Sequence, residues 1–248
     1  MNSWIFCLLD ATTSIRVMGI TILEPVTVLT NLLITSVCLY AFFHMKNQAT
    51  TGLAPKLFRL FFITMALATA IGGIIGHGFV YAIGKYGKLP GWYVSMAAVA
   101  FFERAAIEHA RPLLKPQLAH FFSVFNYIEI ATFAILAFIT LQFRFVELHA
   151  TYGLFVVVFF LELYVYYKKK DPGSIYIFLG TAMALLAAIT HSFEIGISRW
   201  FNHNDTSHVL MAIGVYFYYL GGSNFNFYKR KRQRRLRLSF NRERVSNS

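Results

Sequence analysis

Histidines and carboxylates recur as close pairs in a chain that is otherwise apolar. Asp205 and His208 lie three residues apart in the stretch FNHNDTSHVL, and His191 and Glu194 have the same spacing. Residues three apart share one face of a helix, so each pair would present its groups in one direction. Because neutral imidazole and carboxylate are usual ligands of zinc, these pairs suggest metal chemistry.

Two further groups of the same kind lie nearer the amino terminus. Glu24 begins a polar stripe at spacings of three and four that continues through Thr27, Asn31 and Thr35. His77 lies in the glycine-rich stretch GGIIGHG. Small residues let helices approach closely in lipid, so this stretch can seat His77 against a neighbouring helix.

The elements that must position these groups are membrane helices. The chain is 57% hydrophobic and only 14% charged, whereas a soluble domain carries about 25% charged residues. Much of its surface must therefore face lipid. Spanning a bilayer takes about 20 mostly apolar residues. The predicted fold is an all-α, polytopic bundle of about seven transmembrane helices, and the stretches are 21–43, 57–83, 92–110, 118–141, 148–167, 174–197 and 207–222.

Lysine and arginine predict the orientation of this bundle, because cytoplasmic loops are enriched in them. The connections after the first, third and fifth helices and the carboxyl-terminal tail are rich in these residues, and the opposite connections carry fewer. We therefore expect the amino terminus outside and the carboxyl terminus in the cytoplasm. With this orientation, groups on four helices reach one outer level: Glu24, His77, His191, Asp205 and His208.

The tail forms the second of two predicted units, a transmembrane domain at 1–228 and a basic cytoplasmic segment at 229–248. The segment has nine Lys or Arg residues and one Glu, so it supplies nine minus one, or +8, of the net +12. A basic segment beside a membrane helix binds anionic lipid headgroups, at about 1 kcal/mol per residue. The expected partners are the bilayer and its anionic headgroups, without specific nucleic acid, and the expected location is a bacterial inner membrane.

The outer polar groups predict a zinc site. The expected ligands are His77, His191, His208 and Asp205. Zinc lowers the pKa of a bound water to about 7 and so supplies hydroxide at neutral pH. The catalytic candidates are Glu24 and Asp205, and the expected polar lining is Thr27, Asn31 and Glu194. The preferred function is metal-dependent hydrolysis of a lipid or another amphiphile.

Some of these groups also have purely structural interpretations. Asp205 would serve as the amino-cap of the last helix, with His203 and Asn204 in the loop before it. Deeper in the bundle, Glu103 and Arg104 on the third helix and Glu129 on the fourth predict a buried structural ion pair. His149, at a membrane boundary, carries no functional expectation.

Three segments carry a resemblance to known proteins: EPVTVLTN on the first helix, GHGF ending the second and HNDTSHV opening the seventh. Together they resemble a group of bacterial seven-helix membrane proteins of unknown activity. More distantly, the layout is similar to the superfamily of alkaline ceramidases and adiponectin/progestin receptors, which hold zinc inside a seven-helix bundle. The ceramidases hydrolyse a lipid amide.

That distant resemblance implies roles for particular residues. His77 would be the zinc histidine of the second helix, and His208 the second histidine of the seventh-helix pattern. The chain departs from the pattern at Asn204, where the family has the first of those histidines, and at Gly73, where it has a serine. The aspartate of the family has no counterpart at the right depth.

Two other classes of function remain open. A metal-free transporter or receptor-like binder would hold a small polar ligand or a proton with Glu24, Asn31, His77 and Asp205. A haem-binding electron-transfer protein would pair His77 with His208 or with His191.

Overall fold

The computed structural model describes residues 12–46 and 52–224. The predicted basic segment at 229–248 lies outside the described residues. The α-helices are α1 (Pro25–Lys46), α2 (Leu53–Ile71), α3 (Val80–Ile83), α4 (Leu89–Ala110), α5 (Pro116–Thr140), α6 (Arg144–Thr151), α7 (Phe159–Lys169), α8 (Pro172–Ser192) and α9 (His203–Ser223). The π-helical segment Gly72–Gly78 continues α2, and the two together are called the α2 rod. The π-helical segment Tyr152–Val158 joins α6 to α7, and the three together are called the α6–α7 rod. Short 3-10 turns span Lys85–Lys88 and Arg111–Leu113.

Five helices of the described chain are long and apolar enough to cross a membrane. They are Pro25–Met45, Leu53–Gly78, Pro116–Thr140, Arg144–Lys169 and Pro172–Ser192. The helices α4 and α9 are of similar length, with 22 and 21 residues, but they are not among these five. The predicted all-α fold is confirmed and is consistent with a multi-pass membrane protein, whereas the count of seven spans stays a prediction.

A small β-hairpin precedes the first helix. Strands β1 (Ser14–Val17) and β2 (Ile20–Leu23) pair antiparallel. Met18 and Gly19 make the turn with φ angles of 50° and 82°, the left-handed conformation that tight two-residue hairpins require. The predicted helix start at residue 21 is therefore wrong. The apolar residues before Glu24 form a strand, and Pro25, which suits the first helical position, begins α1.

The helix α4 lies at the centre of the bundle. It packs against α2, α5 and the α6–α7 rod, while α1 packs between α2 and α9, and α8 packs against α7 and α9. Aromatic rings join three of these helices: Phe102 of α4 lies 4.9 Å from the ring of Phe61 in α2 and 4.5 Å from that of Tyr218 in α9. This cluster fixes the distance between α2, α4 and α9 in the middle of the bundle.

Glycines allow α8 and α9 to touch backbone to backbone. A Cβ placed on Gly180 would lie 2.5 Å from the ring of Tyr218 and 2.9 Å from the carbonyl oxygen of Gly214. One placed on Gly214 would lie 3.0 Å from the carbonyl oxygen of Gly180. Packing of this kind is a main source of helix association in lipid, where no hydrophobic force draws helices together.

We predict that Gly180→Ala lowers the melting temperature of the purified protein, because the added methyl group must displace Tyr218 or separate α8 from α9. Overpacking typically costs about 1–3 kcal/mol. The matched control is Gly76→Ala, since a Cβ at Gly76 meets nothing within 4 Å. Thermal unfolding in detergent measures both, and an equal loss in the two variants would contradict this account of the α8–α9 contact.

Candidate functional site

A cavity of about 650 Å³ lies at the end of the bundle where α1, α4, α6 and α9 begin and where the α2 rod and α8 end. Its polar lining at these helix ends includes Glu24, Asn31, His77, Lys88, Arg144, Glu147, His191, Asn204 and His208. Deeper lining is largely apolar and includes Phe61, Met65, Val99, Phe155, Met211 and Tyr218. The cavity therefore has a polar end and an apolar interior, and its volume lies within the usual range for small-molecule sites, roughly 300–1,000 Å³.

Glu24 and His77 form a direct pair at the polar end. Oε2 of Glu24 lies 2.5 Å from Nδ1 of His77, and both side chains are about four-fifths buried. Glu24 has a φ of 42°, an uncommon conformation for a residue other than glycine, and its backbone N–H donates to the carbonyl oxygen of Thr13 at 2.8 Å. The hairpin thus holds Glu24 in the orientation that meets His77.

The glycines around His77 bring its segment against α1, as the sequence predicts. A Cβ on Gly73 would lie 2.6 Å from Cβ of Asn31, and one on Gly78 would lie 3.2 Å from the side chain of Val28. The segment Gly72–Gly78 is π-helical, and such wide turns are frequent at functional sites. His77 therefore lies within reach of both α1 and α9, and its ring centroid is 6.1 Å from that of His208.

The hydrogen bonds of His208 fix the position of its ring proton. The side-chain nitrogen of Asn31 donates to the carbonyl oxygen of Thr27 at 2.9 Å, which sets the orientation of the amide. The same nitrogen lies 3.2 Å from Nδ1 of His208. Since an amide NH₂ only donates, we assign Nδ1 of His208 as an acceptor and the proton of the neutral ring to Nε2. The hydroxyl of Thr30 lies 3.1 Å from the same Nδ1 and can donate to it. His208 therefore offers an N–H donor to the cavity.

Asp205 has a structural role in which both of its oxygens accept hydrogen bonds. Oδ2 accepts from the backbone N–H of Asn202 at 2.8 Å, and Oδ1 accepts from the hydroxyl of Thr30 at 3.3 Å. Asn202 is the amino-cap of α9 and Asp205 is the third helical residue of a capping box. The interpretation of Asp205 as the amino-cap is thus wrong by three residues, because α9 begins at His203 and takes up the expected loop residues His203 and Asn204.

His191 pairs with a glutamate that the sequence reasoning did not consider. Its Nδ1 lies 2.7 Å from Oε1 of Glu147, and the side chain of Asn204 is a further hydrogen-bond partner. The expected face shared with Glu194 is not formed, because α8 ends at Ser192 and Glu194 has a φ of 52° beyond the helix. Glu194 is exposed and does not line the cavity, whereas Glu147 does.

These hydrogen bonds bear on the predicted zinc shell of His77, His191, His208 and Asp205. A neutral histidine binds zinc through a ring nitrogen without a proton, but Nε2 of His208 carries one. His191 lies between Glu147 and Asn204, and Asp205 accepts from the backbone N–H of Asn202, the amino-cap of α9. These side chains are already engaged by protein partners in this arrangement, and the zinc shell stays a prediction. Of the two other lining candidates, Asn31 lines the cavity, while Thr27 is buried in α1.

Arg104 does not form the expected ion pair with Glu103 and Glu129. Its guanidinium lies against Glu108 at 3.2 Å, one turn further along α4, and donates to the carbonyl oxygen of Ser123. The physical reason is the i,i+4 spacing, which places Arg104 and Glu108 on one face of the helix. Glu129 instead pairs with His149, whose Nδ1 lies 2.7 Å from Oε1 of Glu129.

In the described part of the chain, one group of three potential metal ligands has ligand atoms within 4.8 Å of one another. The group consists of Glu103, Glu129 and His149, and all three are buried. Sequence reasoning missed His149 by treating it as a boundary residue.

Comparison with known proteins assigns the chain to a family. A family model described as a family of unknown function, DUF6962, matches residues 26–226. The chain belongs to DUF6962. The match begins at α1 and covers every residue that lines the cavity except Glu24. The chain matches no curated protein and no solved structure, so nothing in these comparisons supports the likeness to ceramidases and adiponectin/progestin receptors.

The Glu24–His77 pair predicts a pH-dependent stability. Burial opposes the charged form of Glu24, but the hydrogen bond from His77 and the positive charges of His77, Lys88 and His203 outweigh it, so the pKa of Glu24 lies below its ordinary 4.5. A carboxyl with a lowered pKa stabilises the folded state above its unfolded-state pKa, and this contribution is lost as the pH falls through the folded-state value.

We therefore expect Glu24→Gln to lower the melting temperature at neutral pH, and we expect the difference from the wild type to shrink below pH 4.5. Melting curves from pH 7 to pH 3 measure this difference. The control is Glu194→Gln, which removes the same charge from an exposed position. A difference between wild type and Glu24→Gln that stays constant over this range would contradict the pairing.

Proposed function

We propose that this protein is a multi-pass membrane protein that binds a single-chain lipid with an amide or ester head group in the cavity. One observation carries the proposal: the polar end of the cavity sets an oriented N–H donor, Nε2 of His208, beside His77, an imidazole whose Nδ1 is held by a carboxylate. The lining beyond these two groups is largely apolar.

The head group follows from the hydrogen bonds that the polar end can make. Nε2–H of His208 requires an acceptor, which the carbonyl oxygen of an amide or ester supplies. Because Nδ1 of His77 is engaged by Glu24, a ligand in the cavity would meet Nε2, which accepts from an amide N–H or a hydroxyl whenever the ring is neutral. A head group with a carbonyl and a donor satisfies both histidines.

The hydrocarbon chain follows from the deeper lining. Phe61, Met65 and Val99 come from α2 and α4, and Met211 and Tyr218 from α9. Burying a chain against these groups gains about 0.8 kcal/mol per CH₂ removed from water. The apolar interior therefore favours one alkyl chain over a fully polar solute, and it favours a lipid over a free proton as the bound species.

A second candidate function is hydrolysis of the bound lipid, and the Glu24–His77 pair favours it. A carboxylate that holds Nδ1–H of an imidazole leaves Nε2 as a general base, as in hydrolytic triads. His77 would take a proton from a water molecule, the resulting hydroxide would attack the carbonyl carbon, and Nε2–H of His208 would stabilise the developing oxyanion. The carbon–nitrogen or carbon–oxygen bond would then break as the carbonyl re-forms, and His77 would return its proton to the leaving amine or alcohol.

We predict that N-oleoylethanolamine and monooleoylglycerol raise the melting temperature of the purified protein in a saturable manner. His208→Ala should weaken this binding about fivefold, which corresponds to one hydrogen bond of about 1 kcal/mol. The control is His120→Ala, because His120 is exposed on α5. Release of oleate from the same samples decides between the candidates: turnover that His77→Ala abolishes indicates hydrolysis.

Several results would contradict these assignments. Saturable binding that His208→Ala leaves unchanged would exclude the proposed head-group site. Binding without release of oleate would exclude hydrolysis of these lipids and leave a transporter or receptor-like binder. The haem alternative stays a prediction, and a Soret absorption band in the purified protein tests it.

We further propose that α4 and α9 also cross the membrane, which gives seven spans and places the polar end of the cavity on the outer side. Support comes from the basic residues at the opposite end, namely Arg111, Lys115, Lys168, Lys169 and Lys170, and from the rule that cytoplasmic loops are rich in such residues. A fluorescent protein fused to the carboxyl terminus should therefore fold and fluoresce in the bacterial cytoplasm. A periplasmic reporter that is active at the same position would overturn this orientation.

A further inference from the structure

Three ionisable side chains converge below the polar end of the cavity, each from a different helix. Glu103 comes from α4, Glu129 from α5 and His149 from α6. All three are buried, with residue exposures of 0%, 5% and 0%. Burial of such groups inside a membrane protein costs free energy unless they are paired with one another or with an ion. Their hydrogen-bond partners therefore indicate what compensates their charges.

The two nitrogens of His149 have different partners. Nε2 lies 3.0 Å from the carbonyl oxygen of Met96. Since a carbonyl oxygen can only accept, Nε2 carries a proton. Nδ1 of the neutral ring then presents a lone pair to Oε1 of Glu129 at a distance of 2.7 Å. Two acceptors at this distance repel each other unless a proton or a metal ion lies with them.

The carboxylates have fewer hydrogen-bond donors than they need. Oε2 of Glu103 accepts from the side-chain nitrogen of Asn126 at 3.2 Å. Oε1 of Glu103 and Oε2 of Glu129 are buried without a hydrogen-bond partner. Burial of an unpaired carboxylate oxygen costs far more than burial of a paired one, and here two such oxygens belong to the same small group.

The backbone beside Glu103 leaves room for its unpartnered oxygen. Gly153 lies in the π-helical segment Tyr152–Val158, and a Cβ at this position would overlap Oε1 of Glu103. A glycine at this point lets the carboxylate lie directly against the α6–α7 rod.

We propose that Glu103, Glu129 and Nδ1 of His149 bind one divalent first-row transition-metal ion such as Mn²⁺, Fe²⁺ or Zn²⁺. The ion supplies two positive charges to two carboxylates and takes the position that a proton would otherwise hold between Nδ1 and Glu129. The hydrogen bond from Nε2–H to Met96 orients the ring for this role, as backbone carbonyls commonly do for metal-binding histidines.

The donor set decides the class of ion. Two carboxylates with one imidazole suit first-row transition metals, whereas Ca²⁺ takes six to eight oxygens and Mg²⁺ keeps mainly oxygen ligands and waters. His149 and Met96 also line the cavity, which gives an ion and its waters a route to the site. This site is separate from the outer histidines, and the inference does not rest on the proposed lipid binding.

The experiment is elemental analysis of the full-length protein in detergent, after removal of metals with a chelator and dialysis against Mn²⁺, Co²⁺ or Zn²⁺. We expect about one equivalent of one of these ions per chain. Glu129→Gln and Glu103→Gln, which keep the side-chain shape, should each weaken binding by at least about tenfold. In the wild type, bound Co²⁺ should also give a visible absorption spectrum that free Co²⁺ lacks.

The matched control is His109→Gln, since His109 of α4 forms the same kind of buried pair with Glu162 of α7 at 2.8 Å. Metal content should survive this change. If the glutamate variants do not fold, Gly153→Ala offers a second test, because its methyl group displaces Oε1 of Glu103 and should reduce metal content. Less than about 0.1 equivalent of every ion in the wild type would show that a proton alone joins these groups and would overturn the proposal. Equal loss of metal in His109→Gln would show that the ion is not held by this cluster and would overturn it as well.

Discussion

Hydrogen bonds between a histidine and a carboxylate on different segments are the interaction on which this structure depends. In lipid, apolar packing alone specifies helix register only weakly, because a helix face meets hydrocarbon whichever way it turns. A buried histidine–carboxylate pair specifies both rotation and depth, since removing one partner leaves an uncompensated polar group and costs about 3–5 kcal/mol. The described chain contains such buried pairs at His109–Glu162 and His149–Glu129, and it contains partly exposed pairs of the same kind at His77–Glu24 and His191–Glu147.

The helix α4 contributes to both buried pairs. It supplies the carbonyl of Met96 to His149, the carboxylate of Glu103 to the inner cluster and His109 to Glu162. These contacts lie at successive depths and reach α5, α6 and α7. Rotation of α4 would break these three contacts together. The contacts therefore hold α5, α6 and α7 in fixed positions relative to α4. The part of the cavity lining that comes from α4 and the α6–α7 rod belongs to helices held in this way.

The apolar stretches, and the charged, glycine and proline residues that end them, were enough to predict the helical fold. Glu24, His77, His191 and His208, which the sequence analysis placed at one membrane level, all line one cavity. The predictions that were wrong concern features set by contacts between segments or by the exact end of a helix. Residues 20–23 are apolar enough to read as helix, but they pair with β1 instead. The partners of His149 and His191 are remote in sequence, so no spacing rule connects them. Glu194 was misplaced because α8 ends one residue after His191, where neither glycine nor proline marks the end.

The two π-helical segments have a consequence for how such a site can arise. A π-helical turn holds one residue more than an α-helical turn, so deletion of one codon within it would restore a regular helix. The residues that follow on the same rod would then turn by about 100°. His77 lies inside one segment and Gly153 inside the other. The chemistry of the bundle can therefore be gained or lost by an insertion or deletion of a single residue, while the loops, the helix ends and the membrane topology are inherited unchanged.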